Sequence, residues 1–106
     1  MKEPQLLIGQ LSDAEIAKLK ADHKTGIYFI KNATDIAYFR EPVIHDVEAA
    51  FAVASDEKPF AAIRKFGELT IVGGSKNIIF DDQMFLGSRK ELAKHWGGIE
   101  AESGNL

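Results

Sequence analysis

The stretch GIYFIKNATDIAYFR, residues 26–40, constrains the fold more than any other part of the chain. Two runs of β-branched and aromatic residues flank a polar turn at Asn32 to Asp35, which is the pattern of a β-hairpin. A symmetric turn sets Phe29 opposite Tyr38 and Ile30 opposite Ala37. One face then carries Tyr28, Ile30, Ala37 and Phe39. The other carries Ile27, Phe29, Ile36 and Tyr38 and ends in Lys31 and Arg40. A sheet with one face in water alternates apolar and polar residues, but here both faces are apolar near the middle. An isolated hairpin is only marginally stable, so helices must cover at least one face and another segment part of the second.

The helices are legible from their ends. In LSDAEIAKLKADHK, Ser12 and Glu15 have the spacing of a capping box, with Leu11 and Ile16 placed as a hydrophobic staple. Ile16 and Leu19 give this helix a narrow apolar stripe among lysines, which predicts a surface helix ending near Lys24–Gly26. Pro42 stops the hairpin's second strand and suits the start of a helix. In VIHDVEAAFAVAS, the residues Val43, Val47, Ala50, Phe51 and Ala54 recur at helical spacing, predicting a central core helix. Ser55-Asp56-Glu57 breaks it and caps a third helix with Pro59 in its first turn and Phe60, Ile63 and Phe66 buried. Gly67 either ends that helix or lets it bend and run on through ELTIV, and LTIV is a candidate third strand. A last helix begins after Asp81 or Asp82, buries Phe85, Leu92 and Trp96, and ends at Gly97-Gly98. The expected fold is α+β: an antiparallel hairpin, extended to three strands if LTIV joins it, packed on three to four short helices. Residues 1–98 form one domain and residues 99–106 a frayed tail.

Composition removes several functions. Among 106 residues, 13 are basic and 16 acidic, a net charge of −3, so the basic footprint of a nucleic-acid binder is missing. No apolar run approaches the ~20 residues of a membrane span, and MKEPQLLIGQ is too short and interrupted for a secretory signal. With no cysteine, disulfides and thiolate zinc sites are excluded. A cytoplasmic protein without cofactor or metal is expected.

Local motifs that suggest chemistry have plainer readings. Gly73-Gly74-Ser75-Lys76 lacks the upstream glycine and the Lys-Ser/Thr order of a phosphate loop and reads as a flexible turn. Asp81 and Asp82 suit a helix start, one as cap and one in the first turn beside the positive end of the dipole. His23 and His95 fall near helix C-termini, and no histidine pair has metal-binding spacing. His45-Asp46 resembles a dyad in letters only, because neighbours on a helix do not face each other. No serine lies in a nucleophile elbow. What remains is excess apolar surface. The hairpin's second face (Ile27, Phe29, Ile36, Tyr38 and Arg40), or the edge of strand 36–40, is the expected contact with another protein chain or a second copy of this one. The competing reading is a small-molecule or enzymatic pocket beside His45 and Asp46.

The sequence is similar to a family of small proteins of tailed phages and prophages. The similarity rests on LSDAEIAKLKADHK, the hairpin ending IAYFREP, the alanine-rich helix, and IVGG followed by DDQMFLGS and a last helix, over roughly residues 11 to 96. The chain departs from the family pattern at IRKFGELT, where Gly67 interrupts an expected helix. The resemblance implies a tail-assembly setting, alongside the chaperones that bind the tape-measure protein. It implies a phage structural or tape-measure protein as partner, in the host cytoplasm or on the virion, and transfers no catalytic residue.

Overall fold

The computed structural model describes residues 6–96 and 101–106. Helix α1 (Asp13–Asp22) is followed by β1 (Ile27–Lys31), β2 (Ile36–Arg40), α2 (Ile44–Phe51), α3 (Ala61–Thr70), β3 (Ile71–Gly74), α4 (Asn77–Phe80) and α5 (Asp82–Trp96). The fold is α+β, with one antiparallel sheet in the order β1-β2-β3. The hairpin has the expected register, Phe29 opposite Tyr38 and Ile30 opposite Ala37. Its turn is closed by Asn32, whose Oδ1 accepts from the backbone N–H groups of Thr34 and Asp35 at 2.9 and 2.8 Å.

One sheet face supplies Ile30, Ala37 and Phe39 to a core completed by Ala50, Phe66, Ile78, Ile79, Phe85 and Leu92 from α2 to α5. Trp96 packs edge-on to Phe51, ring centroids 4.8 Å apart, and lies 5.1 Å from Phe66. The opposite face is covered by α1 and the segment before it. Leu11 and Leu19 reach over Gly73, Tyr38 Oη accepts from the Leu11 N–H at 3.3 Å, and Ile8 bridges to the start of β2 at Asp35. The capping box of α1 forms as read, with Ser12 Oγ accepting from the Glu15 N–H and the Glu15 carboxylate from the Ser12 N–H. No residue of α1 is fully buried, as a surface helix requires.

Several expectations are corrected. Strand 36–40 is central rather than an edge, because β3 pairs along its other side. Of the two readings of Gly67, the helix that runs on past it is the one observed. Gly67 is buried mid-helix, where a Cβ would come within 2.5 Å of Ile79 Cδ1, so its missing side chain lets α3 approach α4. The helix continues through Glu68-Leu69-Thr70, and only then does IVGG become the third strand. Gly73-Gly74 is therefore strand rather than flexible turn. Helix α2 is not central: it buries only Asp46 and Ala50 and exposes Ile44 and Phe51. The third helix starts at Ala61, later than Ser55 implied, because Ser55 Oγ accepts from the Lys58 N–H and closes a turn of its own. Helix α4 arises before Asp82, where a turn was expected, and places Ile78 and Ile79 in the core. The Gly97-Gly98 ending lies outside the described residues, while 101–106 are exposed and carry no regular secondary structure. Among the described residues, no helix is long and apolar enough to cross a membrane.

Candidate functional site

The polar residues with sequence-level promise serve the fold. Asp46 is buried and accepts two charged hydrogen bonds from Arg40, at 2.7 and 2.8 Å, and a third from the Val43 N–H at 2.9 Å. Arg40 also donates to the Leu69 carbonyl at 3.1 Å, so one ion pair fastens the end of β2 to the start of α2 and the last turn of α3. His45 is exposed and makes no hydrogen bond to Asp46 or Arg40. The arginine hydrogen bonds hold the Asp46 carboxyl below the ordinary carboxylate range, and burial offsets only part of the effect.

Asp35, at the hairpin turn, is buried too. It accepts from Ser75 Oγ at 2.5 Å and Thr34 Oγ1 at 2.6 Å, which lower its pKa and anchor the end of β3. Ser75 of the glycine-rich stretch thus has a structural partner, and Asp81 caps α5 by accepting from the Met84 N–H at 3.0 Å. His95, in the last turn of α5, stacks on Tyr28 with centroids 3.5 Å apart and bonds Glu41 at 2.8 Å. Burial, with the Glu41 charge adding to it, pushes the Tyr28 phenol upward. Among the described residues, no group of three or more His, Cys, Asp or Glu is placed to hold a metal ion.

The Asp46 arrangement has a measurable acid signature. Its carboxyl is depressed in the folded chain, so its contribution to stability is present above the unfolded value of about 3.9 and is lost as pH falls through the lower folded value. Asp46→Asn should lower the unfolding free energy by about 2 kcal/mol at neutral pH. It should also flatten the loss of stability below about pH 4, leaving the shares due to Asp35 and Glu15. Urea titrations of both proteins at several pH values measure this; an equal acid slope would assign that slope to other groups.

The residues expected to form a protein-binding face divide. Ile36 and Tyr38 are buried by the segment around Ile8 and by α1, so these two do not stand open as expected. Ile27 and Arg40 are half-buried, Arg40 in the ion pair above, and Phe29 remains 57% exposed with Lys31 Nζ 5.8 Å from its ring centroid. The larger apolar surface lies elsewhere. Phe51, Phe60 and Phe80 are 58%, 44% and 51% exposed.

Phe60 belongs to a groove of about 580 Å³ between the segment entering α3 and the first half of α5. Its apolar lining includes Pro59, Phe60, Phe85 and Leu86. Arg64 ties the two walls together: its Nε donates to the Ile79 carbonyl at 3.0 Å, its Nη2 to Asp82 at 2.9 Å, and its guanidinium lies 4.6 Å from the Phe85 ring centroid. Arg89 places its guanidinium 5.2 Å from the Phe60 centroid. Helical spacing assigned Phe60 to the core, and the late start of α3 is what turns it outward. The one available signal was Pro59, which fixes the chain direction just ahead of the helix. A smaller cleft of about 310 Å³ lies between the hairpin turn and Gly87-Ser88 of α5. Comparison with protein-family models, with characterised proteins and with solved structures returns no significant match.

Proposed function

We propose that this chain is a non-enzymatic protein-interaction domain of a phage or prophage, acting in tail assembly in the host cytoplasm by contact with another protein. The observation that carries the mode of action is the placement of its phenylalanines. Of 7 in the chain, Phe29, Phe51, Phe60 and Phe80 keep between 44% and 58% of their surface exposed, whereas Phe39, Phe66 and Phe85 fill the core. Aromatic side chains left on the surface of a small domain gain most of their burial from a second surface. The polar clusters support the same reading, since Arg40 and Asp46 are engaged with each other, and Asp35 with Thr34 and Ser75, inside the fold. The setting rests on the resemblance of the capped first helix, IAYFREP, IVGG and DDQMFLGS to small tailed-phage proteins, and it makes the tape-measure protein the partner to test first.

Co-production with the tape-measure protein of the same genome, followed by size-exclusion chromatography with light scattering, is expected to yield a soluble complex. Phe60→Asp with Phe80→Asp should abolish it while the far-ultraviolet circular dichroism stays unchanged, because both rings are exposed. A wild-type protein that elutes apart from the tape-measure protein at high micromolar concentration would overturn the tail-assembly reading.

A further inference from the structure

We infer that the groove between residues 58–64 and α5 receives an acidic amphipathic helix of the partner protein, an inference that deepens the protein-docking reading and rests on it. The charged residues lining the groove are Lys58, Arg64 and Asp82, and Arg89 adds a further cation at its Phe60 wall. Lys58 lines it and Arg89 sits over its Phe60 wall, and neither is in an ion pair with a carboxylate among the described residues. Arg64 and Asp82 neutralise each other. The groove therefore carries net positive charge in a chain whose overall charge is −3. Asp56 and Glu57 precede Lys58 in sequence but do not line the groove. The first residues of α3 and α5, Ala61 and Asp82, both line it, so the positive ends of two helix dipoles add to the same potential.

An occupant matching this surface presents aliphatic or aromatic side chains at helical spacing to the exposed Phe60 and Leu86, with Phe85 as the buried floor beneath Arg64 and carboxylates along its flanks reaching Lys58 and Arg89. Charge complementarity of this kind sets register and partner choice, while the apolar contacts supply most of the affinity. A basic helix of the same apolar pattern meets like charge on the same walls.

The test uses two fluorescein-labelled helical peptides with one leucine pattern, flanked by glutamates in one and lysines in the other, and reads anisotropy on titration with the full chain. The glutamate peptide should bind at least about tenfold more tightly at low salt, with the gap closing as salt rises. Lys58→Glu with Arg89→Glu should reverse the preference, and Phe60→Asp should abolish binding of both. Equal binding of the two peptides, both lost in Phe60→Asp, would overturn the acidic partner and leave the docking groove standing. Binding of neither peptide, or binding indifferent to Phe60→Asp, would overturn the groove as a helix site, with complex formation by the tape-measure protein then judging the wider reading separately.

Discussion

Replacing Gly74 with alanine is expected to lower the unfolding free energy by about 3 kcal/mol or more. Gly74 has φ of +87°, a region where a side chain is strained by itself. A Cβ there would also lie 2.6 Å from the Ile36 carbonyl oxygen and 2.8 Å from Ala37 Cα. Both are backbone atoms of the central strand, which is paired on its far side with β1 and cannot withdraw without breaking that ladder. The strain and the clash therefore add. Chemical denaturation should show a large fall in midpoint at unchanged slope, or a chain that does not fold. Gly87→Ala is the control: nothing lies within 4 Å of its Cβ position on α5, so alanine should raise stability by up to about 1 kcal/mol through helix propensity. A Gly74→Ala loss below about 1 kcal/mol would mean that β3 can move off the sheet at little cost.

Phe66→Ala should cost about 3–5 kcal/mol, as large-to-small changes at fully buried aromatic positions do. Phe66 is 0% exposed at the centre of the core and supports one side of Trp96, the only tryptophan. The same substitution therefore carries its own reporter. Trp96 keeps its contact with Phe51 on α2 but loses the ring behind it, so its emission should shift to longer wavelength even where the protein stays folded. Native-like emission with only a small stability loss would show that the α3–α5 interface closes over the gap.

The hairpin was readable to the residue because alternation and turn chemistry agree over the same short stretch, and register follows from both. Caps were equally legible: Ser12 with Glu15, and Asp81, satisfy backbone groups a few positions away and need no knowledge of the rest of the chain. What could not be read depends on contacts distant in sequence. Gly67 looks like a helix end until Ile79 and Leu92 are seen pressed against it. Gly73-Gly74 looks like slack until Leu11, Leu19 and Tyr38 are found occupying the space their side chains would fill. The same limitation governs the candidate site. Apolar content on both hairpin faces signalled surplus surface, but α1 and the segment before it cover Ile36 and Tyr38, so the surplus moves to Phe60, Phe80 and Leu86. Lys58 and Arg89 are far apart in the chain and come to border one groove only through the packing of α3 on α5.

Helix α3 passes into β3 between Thr70 and Ile71 with no residue to spare, and Arg40 holds the Leu69 carbonyl at that join. Chain length is quantised there. One residue more would rotate everything on the helical side by about 100° or turn every β3 side chain to the opposite face, and neither error has slack nearby to absorb it. Residues 52–60, exposed and outside any long element, have that slack, so variation in this chain's length belongs beside the groove and not at the seam between helix and sheet.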